Sequence, residues 1–210
     1  MPADITFYTN PMSRGQIARW MLEEVGQPYE TVVLDYGDDG MKSADYMAIN
    51  PMGKVPAIVH AGKVVTEAAA ICAYLADAFP AAGLAPPTDS RSDYYRWLFF
   101  AAGPVEAAIT NKALGFVMPE GRDRMAGYGT FDHAIDTLEH AVSVPAWICG
   151  NQFTAADVYV GAQVDWGLTF GTLPTRPAFE GYASRLRERP AYKRQKELDG
   201  ALIAQMKKPA

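Results

Sequence analysis

The segment from residue 50 to residue 80 constrains the fold of this chain more than any other part of the sequence. It contains two short strand-like runs, Ala57–His60 and Lys63–Thr66, separated by Ala61-Gly62, which is typical of a tight turn. This pattern predicts a β-hairpin. Val55-Pro56 stands directly before the first run, and a proline without an N–H group is typical of a strand's first residue or of a sheet edge.

A helix is predicted to follow the hairpin at once. Glu67 comes directly after the second run, a helical pattern covers Ala68–Phe79, and Pro80 ends it. The first N–H groups of a helix have no partner within the helix, so they bind a carboxylate well, and a glutamate beside them attracts an ammonium group. This order of elements therefore suits the binding of a small zwitterion.

The residues before this segment predict the rest of an α/β domain. Ile5–Thr9 and Tyr29–Leu34 are strand-like, and helical patterns run from Ser13 to Gly26 and over Lys42–Ile49. With the hairpin and the helix after it, the order β-α-β-α-β-β-α is that of a thioredoxin-like domain. A parallel start followed by an antiparallel hairpin predicts a mixed four-stranded sheet.

The second half of the chain predicts an all-helical domain. Residues 81–89 belong to a stretch rich in proline and alanine, which is typical of a linker, and strand-like runs are lost from Ser90 onward. We therefore expect domains at residues 1–80 and 90–210. The predicted helices of the second domain are Tyr94–Thr110, Asp123–Val142, Phe153–Phe170, Phe179–Glu188 and Tyr192–Met206.

Two local features stand out within these helices. Gly103-Pro104 predicts a kink in the first of them. The quartet Thr154-Ala155-Ala156-Asp157 fits a capping box, in which the threonine and the acid satisfy each other's backbone N–H groups. The box therefore predicts the start of a stable helix.

Composition excludes several classes of function. The chain has 210 residues, 49% hydrophobic and 20% charged, with a net charge of −5, and it has no concentrated basic region, so we expect neither nucleic acid nor a membrane surface as a partner. Its two cysteines, Cys72 and Cys149, form no Cys-x-x-Cys pair, and no metal site is predicted. Because a secretory signal and a membrane-spanning run are both lacking, we expect a reduced, cytoplasmic setting.

Residues 50–80 resemble the second half of the glutathione-binding domain of cytosolic glutathione transferases. The box at Thr154–Asp157, with the following Val-Tyr-Val-Gly, resembles that family's C-terminal N-capping motif, so the resemblance covers essentially the whole chain. It implies that the Val55-Pro56 peptide is cis and that Val55 binds the cysteinyl part of glutathione. An acidic residue and a serine hold the γ-glutamyl end in the family. Here Glu67 keeps the first role, while Ala68 lacks the hydroxyl, at a cost of about 0.5–1.5 kcal/mol.

The loop after the first strand is predicted to activate the thiol of glutathione. A thiol attacks as its thiolate, which both a hydroxyl donor and the positive end of a helix stabilise. Ser13 offers both, and PMSRGQIARWMLEEVG resembles bacterial family members with Pro-x-Ser-Arg. Three alternatives are open: Ser13 only caps the helix, the amide of Asn10 donates to the thiolate, or Tyr8 does so. Arg14 would add positive potential.

The remaining candidates concern the two ends of the reactants. Lys54 and Lys42 are candidates for binding a carboxylate of glutathione, with ordinary surface lysines as the alternative. The family's electrophile pocket lies between the domains, and for its aromatic candidates core packing is the alternative. The pocket candidates are Met12, Glu106, Phe116 and Trp166, with Phe99, Ala102 and Phe170 beside them.

These features predict a glutathione transferase that takes glutathione as its co-substrate and uses no metal. It would conjugate small hydrophobic electrophiles or reduce hydroperoxides, and the family's dimers imply a homodimer. Two alternatives remain: a non-catalytic binding or scaffold protein on the same fold, which Ala68 favours, and a glutathione-dependent isomerase or lyase. A thioredoxin-type oxidoreductase is disfavoured because the loop after the first strand has no cysteine.

Overall fold

The chain folds into two compact units. A computed structural model of the protein describes residues 4–143 and 146–206. Its contacts group residues up to Gly83 with those from Glu188 onward, and residues Leu84–Arg187 form the second unit. The first unit contains the sheet, and the second is helical.

The sheet of the first unit is mixed, as predicted. Its strands are β1 (Ile5–Thr9), β2 (Glu30–Val33), β3 (Ala57–His60) and β4 (Lys63–Thr66). They lie in the order β2-β1-β3-β4, and β1 runs parallel to β2 and antiparallel to β3. The predicted hairpin is confirmed with the same bounds. Its two turn residues, Ala61 and Gly62, have φ values of 49° and 74°, as the favoured two-residue hairpin turn requires.

Between and after the strands along the chain lie α1 (Gly15–Val25), α2 (Ala44–Ile49) and α3 (Ala68–Ala78). Gly26 ends α1 in the left-handed conformation with φ 71°, as a terminal glycine commonly does. Ser43 caps α2 by accepting from the N–H of Tyr46 at 3.4 Å. Alternate residues of β1 are buried, and α1 and α3 pack against each other, so the core lies between sheet and helices.

The second unit contains α4 (Ser92–Phe100), α5 (Glu106–Ala113), α6 (Phe131–Val142), α7 (Ala155–Phe170) and α8 (Pro177–Arg187). A π-helical turn, Ala101–Val105, joins α4 to α5 and contains Pro104. The kink predicted at Gly103-Pro104 thus falls on a π-helical turn. Proline removes a helical hydrogen bond and crowds the preceding turn, which the wider π-turn accommodates.

The start of the helix predicted over Asp123–Val142 is wrong. Residues Asp123–Met125 form a single 3₁₀ turn, and α6 begins only after Thr130, whose hydroxyl accepts from the N–H of His133 at 3.2 Å. Gly129 has a φ of 64°, which a right-handed helix does not contain. The glycine therefore separates the turn from the helix.

The capping box at the start of α7 is confirmed and belongs to a wider buried network. The Asp157 carboxylate is fully buried and accepts from the N–H of Thr154 at 2.9 Å and that of Ile148 at 2.8 Å. The Tyr182 hydroxyl donates to it at 2.8 Å. Burial raises the pKa of Asp157, and these donors act in the opposite direction. The network ties α7 to α8 and to the turn before α7.

The last helix, α9 (Pro190–Met206), packs on α1 in the first unit. Arg19 and Asp199 are both buried and form an ion pair, with Nε and Oδ1 2.8 Å apart. The Arg19 guanidinium also stacks 5.1 Å from the ring centre of Phe7 and 5.8 Å from that of Tyr29. This grouping differs from the boundaries expected from the sequence, which assigned residues 90–210 to one domain.

Candidate functional site

The sheet register brings three separate segments to one end of the first unit. Tyr8 of β1 lies opposite Ala57 of β3, and Ala57 lies opposite Thr66 of β4. β1 ends, β3 begins and β4 ends at the same end of the sheet. The loop containing Ser13, the Val55-Pro56 peptide and Glu67 therefore lie side by side.

Asn10 holds the loop after β1 in place. The residue is fully buried, and its Nδ2 donates to the Leu34 carbonyl at 2.9 Å. Its Oδ1 accepts from the N–H of Met12 at 2.9 Å, which makes an Asx turn. Both ends of the amide thus have partners within the loop and the strand end.

Ser13 lies at the start of α1 and is half-buried. Its hydroxyl donates to the Asn10 carbonyl at 2.7 Å and accepts from the N–H of Gly15 at 2.9 Å. The second bond joins the hydroxyl to the first residue of α1, whereas Arg14, the N-cap residue, makes no side-chain capping bond within the part of the chain that the structure describes. The same hydroxyl also lies at the positive end of α1, where an anion is stabilised.

Gly15 explains how α1 can begin so close to the sheet. A Cβ atom at this position would lie 2.0 Å from the Thr9 Oγ1 at the end of β1, which is far inside van der Waals contact. Only glycine allows this approach. The position of Ser13 relative to the sheet edge therefore depends on the missing side chain two residues later.

The Val55-Pro56 peptide is cis, as the resemblance implies, and the backbone before it is held firmly. The Lys54 carbonyl accepts from the Tyr46 hydroxyl at 2.6 Å and from Asn50 Nδ2 at 2.7 Å. Burial raises the pKa of Tyr46 to about 12, so the hydroxyl stays protonated and donates. Sequence reasoning missed Tyr46 and Asn50; the Asn50-Pro51 turn signal could have indicated the second.

Glu67 has the most unusual backbone of the candidate residues. It is exposed at the start of α3, with φ 65° and ψ 120°, and its side chain makes no capping bond among the described residues. Residues other than glycine are uncommon at positive φ, and such a backbone conformation typically costs about 1–3 kcal/mol. Ala68, which begins α3, is buried. The first N–H groups of α3, which a helix leaves without internal partners, thus come directly after an exposed carboxylate.

Two lysines flank the loop before Val55. Lys42 is exposed, and its Nζ donates to the Met52 carbonyl at 2.9 Å, which places the ammonium group on this loop. Lys54 is exposed within the loop itself. The region thus offers two cations to a ligand carboxylate. Tyr8, the other candidate for thiol activation, packs with its ring centre 5.5 Å from that of Tyr46.

The electrophile candidates are distributed over both units. Met12, in the Ser13 loop, has 55% of its surface exposed. In the helical unit, Glu106 accepts from the Tyr159 hydroxyl at 3.2 Å, and Trp166 packs edge-on against Phe170. Phe116 lies exposed in the segment after α5. Sequence reasoning did not identify Tyr159 as the partner of Glu106.

Across residues 4–143 and 146–206, no cluster of three or more His, Cys, Asp or Glu side chains is arranged to hold a metal ion. No helix there combines the length and the apolar character that crossing a bilayer requires.

Comparison with known proteins shows to which family the chain is similar. The family model described as "Glutathione S-transferase, N-terminal domain" matches residues 3–77. The chain is 29% identical to glutathione S-transferase GstA of Escherichia coli O157:H7 over 174 residues, which cover 80% of this chain and 86% of that protein. It is 30% identical to the glutathione S-transferase-like protein gedE of Aspergillus terreus, covering 71% of each chain.

A solved structure extends the similarity to nearly the whole fold. The glutathione S-transferase of a sphingomonad, determined in complex with glutathione, superposes with a TM-score of 0.73 at 26% identity and covers 93% of this chain and 98% of that one. The fold, the N-terminal domain match and these relatives together define the class. The protein belongs to the cytosolic glutathione S-transferase family.

Proposed function

We propose that the protein is a glutathione transferase that activates the thiol of glutathione for attack on small hydrophobic electrophiles. The observation that carries the proposal is the sheet register, which brings the Ser13 loop, the Val55-Pro56 peptide and Glu67 to one edge. Relatives named as glutathione S-transferases and a structure of one with bound glutathione support it. The same thiolate would reduce hydroperoxides, and we include a cytoplasmic homodimer in the proposal.

Glutathione carries two carboxylates and one ammonium group, and the proposed contacts match these charges. The N–H groups at the start of α3 bind the γ-glutamyl carboxylate, and the Glu67 carboxylate binds the ammonium group beside it. The backbone of Val55 pairs with the cysteinyl residue. Lys42 or Lys54 binds the glycyl carboxylate at the far end.

Ser13 is favoured over Asn10 as the group that stabilises the thiolate. The Asn10 amide is fully buried and its two ends already have partners, whereas the Ser13 hydroxyl is half-buried and gives its hydrogen to the Asn10 carbonyl. That hydrogen turns to the sulfur once the thiolate forms, and the thiol proton leaves to solvent. Lowering the thiol pKa by two units corresponds to about 2.7 kcal/mol, which a charge-assisted bond and a helix start can supply together.

The test is Ser13→Ala, assayed for glutathione binding by calorimetry and for conjugation against a panel of electrophiles and hydroperoxides. A bond to a charged group contributes about 1.5–3 kcal/mol, so we expect kcat/KM to fall about 10- to 100-fold while binding persists. Thr130→Ala removes the side-chain cap of α6 and serves as the control for capping alone.

Four possible results would contradict the proposal or a part of it. Conjugation at the wild-type rate by Ser13→Ala would leave Ser13 as a helix cap only, and a loss confined to Asn10→Ala would move the role to Asn10. Absence of any heat of glutathione binding at millimolar concentration would exclude the function itself. Binding without conjugation of any compound in the panel would favour the non-catalytic alternative.

A further inference from the structure

Gln16, the second residue of α1, links the Ser13 loop to the C-terminal helix. Its Nε2 donates to the Pro11 carbonyl at 2.6 Å. Its Oε1 lies 3.4 Å from the Lys196 Nζ and 3.5 Å from the Gln195 Nε2, both on α9. Because a carbonyl only accepts and an ammonium group only donates, these partners determine the orientation of the amide.

The loop side of this link is the stronger one. Pro11 is buried two residues before Ser13, and the short bond from Gln16 orients its carbonyl. Asn10 holds the neighbouring groups, because its carbonyl accepts from the Ser13 hydroxyl and its Oδ1 accepts from the N–H of Met12. Gln16 therefore holds the part of the loop that Asn10 does not.

The α9 side gives Gln16 a rigid support. Gln195 is buried, and its Nε2 donates to the Asp199 Oδ2 at 2.6 Å. Asp199 is in turn paired with Arg19 on α1, three residues after Gln16. The longer distances from Gln16 to α9 are weak hydrogen bonds, but the packed network behind them limits how far the Gln16 side chain can move.

We infer that Gln16 is a positioning residue, which holds the Pro11 carbonyl against the support of α9 and so orients the Ser13 hydroxyl toward the sulfur of glutathione. The inference rests on the proposed function of Ser13. Gln16 acts through Ser13, so its loss changes the ionisation of the bound thiol more than the binding of the peptide.

The experiment compares Gln16→Met with Gln27→Met in the intact protein. Methionine keeps the size of glutamine and removes its side-chain hydrogen bonds, and Gln27 is exposed just beyond the other end of α1. For Gln16→Met we expect kcat/KM at neutral pH to fall about fivefold, the rate equivalent of one ordinary hydrogen bond. The apparent pKa of the bound thiol should rise by about 0.7 unit, both in the pH profile of kcat/KM and in the pH titration of the thiolate's ultraviolet absorbance.

Binding and coupling separate positioning from a general structural effect. The glutathione dissociation constant of Gln16→Met should stay within about twofold of wild type, and Gln27→Met should match wild type throughout. In the Ser13→Ala background, Gln16→Met should cause no further loss, because the group through which it acts is gone. Circular dichroism checks that each variant is folded. If Gln16→Met does not fold, Gln16→Asn is used in its place, because its side chain is one methylene too short to reach both the loop and α9.

The outcomes distinguish this inference from the proposed function. If Ser13→Ala is impaired but Gln16→Met behaves like Gln27→Met, the positioning role is overturned and the proposed function stands. An equal loss from Gln16→Met with and without Ser13 also overturns it. If Ser13→Ala is fully active, the role of Ser13 fails, and the role of Gln16 fails with it.

Discussion

The starts of α7 and α3 each carry an acidic side chain, but the surroundings of the two carboxylates are opposite. At α7, Asp157 is fully buried, and backbone N–H groups and the Tyr182 hydroxyl of the same unit bind its carboxylate. At α3, Glu67 is exposed, its side chain makes no capping bond among the described residues, and its backbone has a φ of 65°. Protein groups therefore bind the carboxylate at α7, whereas the residue that carries the carboxylate at α3 is exposed.

The difference separates stability from binding. A carboxylate whose bonds all go to protein donors fixes the elements that carry those donors, and it has no capacity left for a ligand. An exposed carboxylate on a strained backbone stabilises the fold little, and such backbone strain is common at binding sites. We therefore expect mutations at α7 to act on folding and mutations at α3 to act on glutathione.

The largest effect is expected at α7. Asp157→Ala leaves several buried donors without an acceptor, so the free energy of unfolding should fall by roughly 3–5 kcal/mol, as measured by urea denaturation. The control is Asp136→Ala, which removes an acid that is 61% exposed and paired with Arg176, and which should cost less than about 1 kcal/mol. Equal losses from the two variants would break the comparison.

An intermediate effect is expected at Glu67, and it should appear in binding alone. Glu67→Gln removes the charge that pairs with the ammonium group, so glutathione should bind about tenfold more weakly, as measured by calorimetry, with an unchanged free energy of unfolding. Glu67→Gly should bind as weakly but gain up to about 1 kcal/mol in stability, because glycine adopts this backbone without strain. Destabilisation by Glu67→Gln comparable to that of Asp157→Ala would contradict the division of roles.

The smallest effect is expected from adding a hydroxyl group at the start of α3. Ala68→Ser supplies the hydroxyl that the family pattern has at this position, and one hydrogen bond corresponds to about threefold to tenfold tighter glutathione binding. Ala78→Ser, at the opposite end of α3, is the matched control and should leave affinity unchanged. If both substitutions have the same effect on affinity, the start of α3 is not where the peptide binds.

The elements that sequence reasoning located well are those with local signals. The hairpin bounds agree with the structure residue by residue, because a glycine turn and β-branched runs depend on neighbours along the chain. The start of α7 is equally local, since a capping box spans only a few residues. The start of α6 was placed too early because helical spacing continues across Gly129, and periodicity alone does not detect a backbone reversal.

The relations that sequence reasoning missed are long-range. Nothing in the pattern around Arg19 indicates a partner at Asp199, so the packing of α9 on α1 could not be read from the sequence. The same reason hid Gln16, whose partners lie in a loop and on α9. The candidate loop, proline and acid at the site were identified by motif, but the groups that hold them, such as Tyr46, required the coordinates.

The pair between Arg19 and Asp199 has a consequence for how this protein is made. A ribosome adds about 5–20 residues per second, so Asp199 is synthesised roughly 10 to 35 s after Arg19. Until then the Arg19 guanidinium lacks the Asp199 carboxylate that pairs with it in the folded protein. The sheet-bearing unit therefore reaches its complete native packing only after synthesis has passed Asp199.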